Sequence, residues 1–138
     1  MINRVLEYRA SFDAAHRLLN HGGRCRNLHG HTYHVSIRIE AALKDEVFVI
    51  DFFRFKEILN AYDHVVLCWT EDHQLIRFCR EENGDVLVLP KQTSIENLSG
   101  HIAVAVARSL EVEWKEVQVN LQETEKGSCA SVVRPEDI

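Results

Sequence analysis

The chain is expected to fold as a single α+β domain: an antiparallel four-stranded sheet with helices packed on one face. Three observations carry this reading. Two long segments near the N-terminus alternate apolar and polar residues with period two, the mark of a half-buried strand. The middle of the chain holds segments with helical spacing behind good capping residues, and two further alternating segments close the sequence. Two pairs of strands bracketing helices give such a layered sheet.

In the first segment Leu6, Tyr8, Ala10, Phe12 and Ala14 share one face, and the same phase reaches His16. In the second, Tyr33, Val35, Ile37 and Ile39 share a face that extends back to His31 and His29. Val47 to Ile50 is a short apolar run expected to be a third strand. Asp51 is a good N-cap for a helix carrying Phe55, Ile58, Leu59 and Tyr62 on one side. Asp72 caps a shorter helix with Leu75, Ile76 and Cys79, stopped near Gly84. Val86 to Leu89 reads as a brief strand or linker ended by Pro90. Thr93-Ser94-Ile95-Glu96 satisfies the capping-box pattern before a helix bearing Leu98, Ile102, Val106 and Leu110. Lys115 to Gln122 alternates with Val117, Val119 and Leu121 inward, which makes Glu123 the next inward position. Cys129 to Val133 is expected to be the last strand, with a disordered tail after Pro135.

With 138 residues the chain is one domain, 1–138, and 16 basic against 21 acidic residues leave a formal charge of −5. No nucleic-acid partner is expected from that balance, and no membrane partner from the lack of a long apolar stretch. The N-terminus has no signal-like pattern, and a cytoplasmic location is expected. Cys68, Cys79 and Cys129 sit among apolar neighbours as core residues, without the paired spacing of a disulfide or thiol–metal framework. Arg17, Arg24 and Arg26 cluster near the histidines, where they either steer an anion or simply face solvent.

His16, His29 and His31 all fall on inward faces, where an unpaired polar group costs about 1–3 kcal/mol. Ordinary hydrogen bonds are one remedy. One metal ion shared by all three is the other, and three imidazoles without a fourth protein ligand are the donor set of an open, catalytic zinc site. Cys25, in the loop Gly22-Gly23-Arg24-Cys25-Arg26, is either a general base beside such a centre or a fourth ligand that closes it. Asp63-His64 is a candidate proton-transfer pair, because an aspartate orients a histidine and raises its proton affinity. Glu123, inward at a strand end, either accepts two parallel N–H bonds from an amidine-like edge, as a pterin ring presents, or pairs with a buried lysine or arginine. His21, His34, His73 and His101 have no such company and are read as surface or hydrogen-bonded residues.

Taken in order, Phe12-Asp13-Ala14-Ala15-His16, Cys25-Arg26-Asn27-Leu28-His29-Gly30-His31, Val49-Ile50-Asp51-Phe52, Asp63-His64, Glu96-Asn97-Leu98 and Glu123-Thr124 resemble the 6-pyruvoyltetrahydropterin synthase / 6-carboxytetrahydropterin synthase family. The resemblance implies the tunnelling fold, in which subunits join sheets into a β-barrel, commonly as a homohexamer with active sites at subunit interfaces. It implies Zn2+ on His16, His29 and His31, Cys25 as proton-abstracting base, Asp63 and His64 in proton transfer, and Glu123 as anchor of the pterin ring. Thr93, Ser94 and Glu96 fall on the family's substrate-binding segment. The implied substrate is 7,8-dihydroneopterin triphosphate. Three residues between Cys25 and His29 look like the 6-carboxytetrahydropterin synthases of the queuosine pathway, rather than the biopterin-pathway enzymes with their longer spacing. Leu67-Cys68-Trp69, Thr93-Ser94 and the residue after Ala130 depart from the family pattern around the expected pterin pocket.

Overall fold

The computed structural model describes residues 1–82 and 84–138. It contains six strands, β1 (Ile2–His16), β2 (His29–Leu43), β3 (Val65–Trp69), β4 (Val86–Leu89), β5 (Trp114–Thr124) and β6 (Gly127–Val133). Three helices, α1 (Phe52–Asn60), α2 (His73–Glu81) and α3 (Ile95–Arg108), lie between them. The α+β class stands, but the sheet is six-stranded and mixed, in the order β4-β3-β1-β2-β5-β6, not four-stranded and antiparallel.

The four antiparallel strands are the expected ones. β1 and β2 form a continuous ladder from Ile2↔Leu43 to His16↔His29, and β2 pairs with β5, which pairs with β6. The additions are β3, which joins β1 in parallel at Ala14 and Ala15, and β4, parallel to β3. Strand β3 escapes a search for alternation because both its faces are covered, so Val-Val-Leu-Cys-Trp is a continuous apolar run. Leu67 belongs to the main core while its neighbour Cys68 belongs to a second cluster with Leu75, Ile76 and Cys79 of α2. Adjacent strand residues point to opposite faces. Helix α2 therefore covers the face opposite to α1 and α3, which corrects the one-sided arrangement.

The main core is built as the periodicity indicates. Tyr33, Val35, Ile37 and Ile39 of β2, Val117, Val119 and Leu121 of β5, and Phe12 of β1 are buried against Phe55 and Leu59 of α1 and Leu98, Ile102 and Val106 of α3. Asp51 caps α1 by accepting from Phe53 N–H at 3.0 Å. Val47 to Ile50 is not a strand. Val49 drops into the core while Val47 and Phe48 face solvent, an irregular corner that delivers the chain to α1. The tail is ordered: Arg134 N–H donates to Asp137 Oδ2 at 2.8 Å and the Arg134 guanidinium meets Glu116 at 2.9 Å, holding a short 3-10 turn. Among the described residues no helix is long and apolar enough to cross a membrane.

Candidate metal centre

The β1–β2 ladder builds the site. Its last pairs are Ala14↔His31 and His16↔His29, so three imidazoles gather on the helix-covered face beside small side chains. Ring centroids lie 4.7 Å (His16–His29), 4.8 Å (His29–His31) and 5.2 Å (His16–His31) apart. One ring nitrogen from each falls in a group whose members all lie within 4.8 Å of one another.

The other ring nitrogen is anchored in two of the three. His16 Nδ1 donates to the Thr93 carbonyl oxygen at 2.9 Å, with Thr93 Oγ1 3.2 Å away, and His29 Nδ1 donates to the Asn27 carbonyl oxygen at 2.6 Å. Such bonds fix the tautomer that leaves Nε2 with its lone pair free, as metal-binding histidines require. Thr93 thus serves His16, and the cap of α3 moves one residue on. Ser94 is the N-cap, accepting from Asn97 N–H at 3.3 Å, so the Thr93-to-Glu96 capping box does not form.

The electrostatics favour neutral imidazoles. Burial, helped by the neighbouring His29 and His31, pushes His16 down to about 4 against the Thr93 bond. His31 is lowered by burial too, with Glu123 opposing and His29 assisting. Among the described residues His16 Nε2 and His31 Nε2 are buried without a hydrogen-bond partner. Two orphaned ring nitrogens in one group of three imidazoles are what a divalent cation needs, and the all-imidazole donor set suits zinc.

Glu123 approaches two of the imidazoles from β5, though it lies outside the group of three. Its Oε1 stands 3.3 Å from both His16 Nε2 and His31 Nε2, and the side chain is 27% exposed. Its neighbours are therefore imidazoles, and among the described residues no lysine or arginine pairs with it, which disposes of the buried ion pair.

Cys25 sits in an exposed 3-10 turn, Arg24–Arg26, outside the histidine group. The turn is tied back by Leu18 N–H donating to the Cys25 carbonyl at 2.8 Å. Arg17 is no anion-steering loop residue: it grips Asp72 through two bonds of 2.6 and 2.7 Å, and Asp72 in turn caps α2 at Leu75 N–H. Sequence reasoning missed this clamp, which secures the residue following His16. Glu96, in the first turn of α3, lines a cleft of about 480 Å³ with Lys91, His101 and Ser131, whose lining does not include the three histidines.

Asp63 and His64 do form a pair, His64 Nδ1 to Asp63 Oδ1 at 3.0 Å, with Asp63 also accepting from Asp13 N–H at 2.9 Å. The contact raises His64 and, with the Asp13 bond first, lowers Asp63. His64 has φ 56°, a left-handed conformation that is uncommon outside glycine. The pair stands beside Asp13 and Thr32, whose phase in β1 and β2 is opposite to that of Ala14 and His31. The pair clusters with Asp13 as a group separate from the three histidines, while His64 and His31 line one open cavity.

The family model described as 6-pyruvoyl tetrahydropterin synthase matches residues 5–134. The chain belongs to that family. It is 28% identical over 128 residues to the 6-carboxy-5,6,7,8-tetrahydropterin synthase of Rickettsia bellii, covering 88% of this chain and 93% of the relative. To that of Haemophilus influenzae it is 32% identical over 104 residues, covering 67% and 74%. The chain spans 57% and 58% of the length of the relatives it matches in Pyrococcus horikoshii and Halobacterium salinarum. In fold it is similar to Plasmodium vivax 6-pyruvoyltetrahydropterin synthase carrying a mutation of its catalytic residue, with a TM-score of 0.72 at 18% identity over 97% of this chain and 99% of that one.

Proposed function

We propose that this protein is a zinc-dependent lyase that converts 7,8-dihydroneopterin triphosphate to 6-carboxy-5,6,7,8-tetrahydropterin, releasing acetaldehyde and triphosphate, as a step toward queuosine. The observation that carries the reading is the pair of orphaned nitrogens of His16 and His31, joined in one group by His29. When bound, zinc supplies a Lewis acid that polarises a substrate side-chain oxygen and makes the adjacent C–H more acidic.

The chain's own groups do the rest. Thr93 and Asn27 hold two of the imidazoles in the tautomer that presents Nε2. Cys25, exposed on its turn and outside the histidine group, takes the part of the general base that removes the carbon-bound proton. His64, held protonated to higher pH by Asp63, is suited to return a proton. Glu123 provides a carboxylate for the amidine edge of the pterin, and Ser94 and Glu96 belong to the segment that would line its pocket.

Asp63 and His64 form a group separate from the three histidines, and their part in the reaction is assigned to a site completed by a second copy of the chain. A homohexamer with sites between subunits answers that need. The outer edge of β1 is paired only at Ala14 and Ala15, and β6 ends the sheet, so both offer edges for joining sheets.

Incubating the zinc-loaded protein with 7,8-dihydroneopterin triphosphate and analysing the products by mass spectrometry tests the reading. Acetaldehyde together with a carboxypterin is the expected result. A pyruvoyl side chain would make it a 6-pyruvoyl synthase, the activity named for the structural neighbours, and absence of turnover would leave a non-catalytic pterin- or zinc-binding protein.

A further inference from the structure

We infer that Asp13 is a positioning residue for the Asp63–His64 pair, its carboxylate braced by Thr32 and serving as a second anion that keeps the exposed His64 imidazole in place. The inference rests on the proton-transfer part given to that pair above.

His64 depends on its neighbours for its position. Its side chain is 77% exposed, and its backbone is left-handed with φ 56°, a conformation uncommon for residues that carry a Cβ. Asp13, on β1, ties it down through the main chain. His64 N–H donates to the Asp13 carbonyl oxygen at 2.6 Å, and Asp13 N–H donates to Asp63 Oδ1 at 2.9 Å. The same Oδ1 stands 3.0 Å from His64 Nδ1, so one carboxylate oxygen serves both the strand and the imidazole.

The Asp13 side chain adds what the main chain cannot. Thr32, directly opposite in β2, donates its hydroxyl to Asp13 Oδ1, which holds the carboxylate on this side of the ladder. Asp13, Asp63 and His64 each offer an atom within 4.8 Å of the others. Exposed side chains otherwise exchange rotamers within nanoseconds, and an imidazole met by two carboxylates has a preferred place that one contact alone does not give it. Asp63 is the first cause of the raised proton affinity of His64, and Asp13 adds to it.

That place bears on the chemistry. His64 opens on a cavity of about 600 Å³ whose wall also carries Asp13, Thr32 and His31, and Asp85, ahead of β4, is the remaining ionisable group on its lining. A proton donor has to sit about 2.6–3.2 Å from the atom it serves. A misplacement of about 1 Å costs about 100-fold in rate.

The main-chain bonds of Asp13 survive any replacement of its side chain, so substitution isolates the carboxylate. Asp13→Asn keeps an acceptor for Thr32 and loses the charge, whereas Thr32→Val keeps the charge and loses the brace. Turnover of 7,8-dihydroneopterin triphosphate by the zinc-loaded protein is compared among wild type, these two variants, His64→Ala and the double variant Asp13→Asn/His64→Ala, with zinc content and urea midpoint recorded for each. The expected kcat falls about 10-fold in Asp13→Asn and about 3-fold in Thr32→Val, a part of what a whole acid–base group contributes, with KM and zinc content within about twofold of wild type. On the His64→Ala background Asp13→Asn should have no further effect, because the carboxylate acts through the imidazole. Wild-type kcat in both single variants would overturn the inference and leave the proposed function standing. A loss of the same size with His64 absent would overturn it too, since Asp13 would then act elsewhere. If the wild-type protein shows no turnover, the proposed function fails and this inference with it.

Discussion

Removing the Asp72 carboxylate tests how the histidine-bearing end of β1 is secured. Its side chain is 3% exposed and takes two charge-assisted bonds, 2.6 and 2.7 Å, from Arg17, which is 23% exposed. It also caps α2 through Leu75 N–H. Losing an N-cap costs about 1 kcal/mol. Breaking a fully buried ion pair costs about 3–5 kcal/mol, but the guanidinium here can turn toward water, so about 2 kcal/mol is the fitting share. Asp72→Ala should therefore lose about 3 kcal/mol, and Asp72→Asn, which keeps an acceptor for the cap, about 2 kcal/mol. Urea unfolding at one fixed protein concentration, with the slope unchanged, measures both. The pH dependence is also set. Arg17 holds the Asp72 carboxyl below its ordinary range. Its stabilisation is thus fully present above about pH 3.9 and is lost as pH falls through the lower folded-state value. The wild-type advantage over Asp72→Asn should accordingly persist at pH 5. Since Arg17 follows His16, zinc affinity should fall about 10-fold in Asp72→Ala, the lower end of what outer-shell changes cost. An alanine variant within about 0.5 kcal/mol of wild type, the range of an ordinary surface substitution, would refute the clamp.

Replacing Cys25 by serine should lower turnover by about 10²–10⁴ while leaving zinc stoichiometry and thermal unfolding unchanged, because the residue is exposed and outside the histidine group; an undiminished rate removes it as the base. Asp63→Asn should move the NMR titration of His64 to lower pH, since Asp63 is the first cause of its raised proton affinity; an unmoved titration means the 3.0 Å contact does not persist in solution. Tyr33→Phe deletes a buried hydroxyl without a hydrogen-bond partner among the described residues. Its urea midpoint should equal or exceed that of wild type, and a loss of about 1 kcal/mol would reveal a partner for that hydroxyl.

What could be read from the sequence is what depends on period and phase. Alternation along β1 and β2 put His16, His29 and His31 on one side, and alternation along β5 added Glu123 to it. The features that stayed hidden depend on tertiary neighbours. Val65–Trp69 carries no alternation because α2 buries one face and the main core the other. Thr93 resembles a helix cap until His16 claims both its carbonyl and its hydroxyl, leaving the cap to Ser94. Asp63 and His64 are adjacent in sequence, and their pairing follows from that. Which face of the sheet they occupy follows only from where β3 docks on β1.

The register of one hairpin decides whether this chain has a centre at all. Fifteen consecutive pairs from Ile2↔Leu43 to His16↔His29 lock β1 to β2. Because side chains alternate faces, a slip of one residue would carry His29 and His31 to the polar face with Thr32 and His34 moving inward. The apolar positions Tyr33, Val35, Ile37 and Ile39 of β2 forbid that slip, since each is buried in the correct register and would be exposed in the other. The hydrophobic core thus sets the positions of the candidate metal-binding nitrogens, and the 15-pair ladder carries that precision to its far end. Cys25 is exempt from the constraint, because it sits on the loop joining the two strands. The proposed metal donors are held by packing, whereas the proposed base, Cys25, is carried on an exposed 3-10 turn.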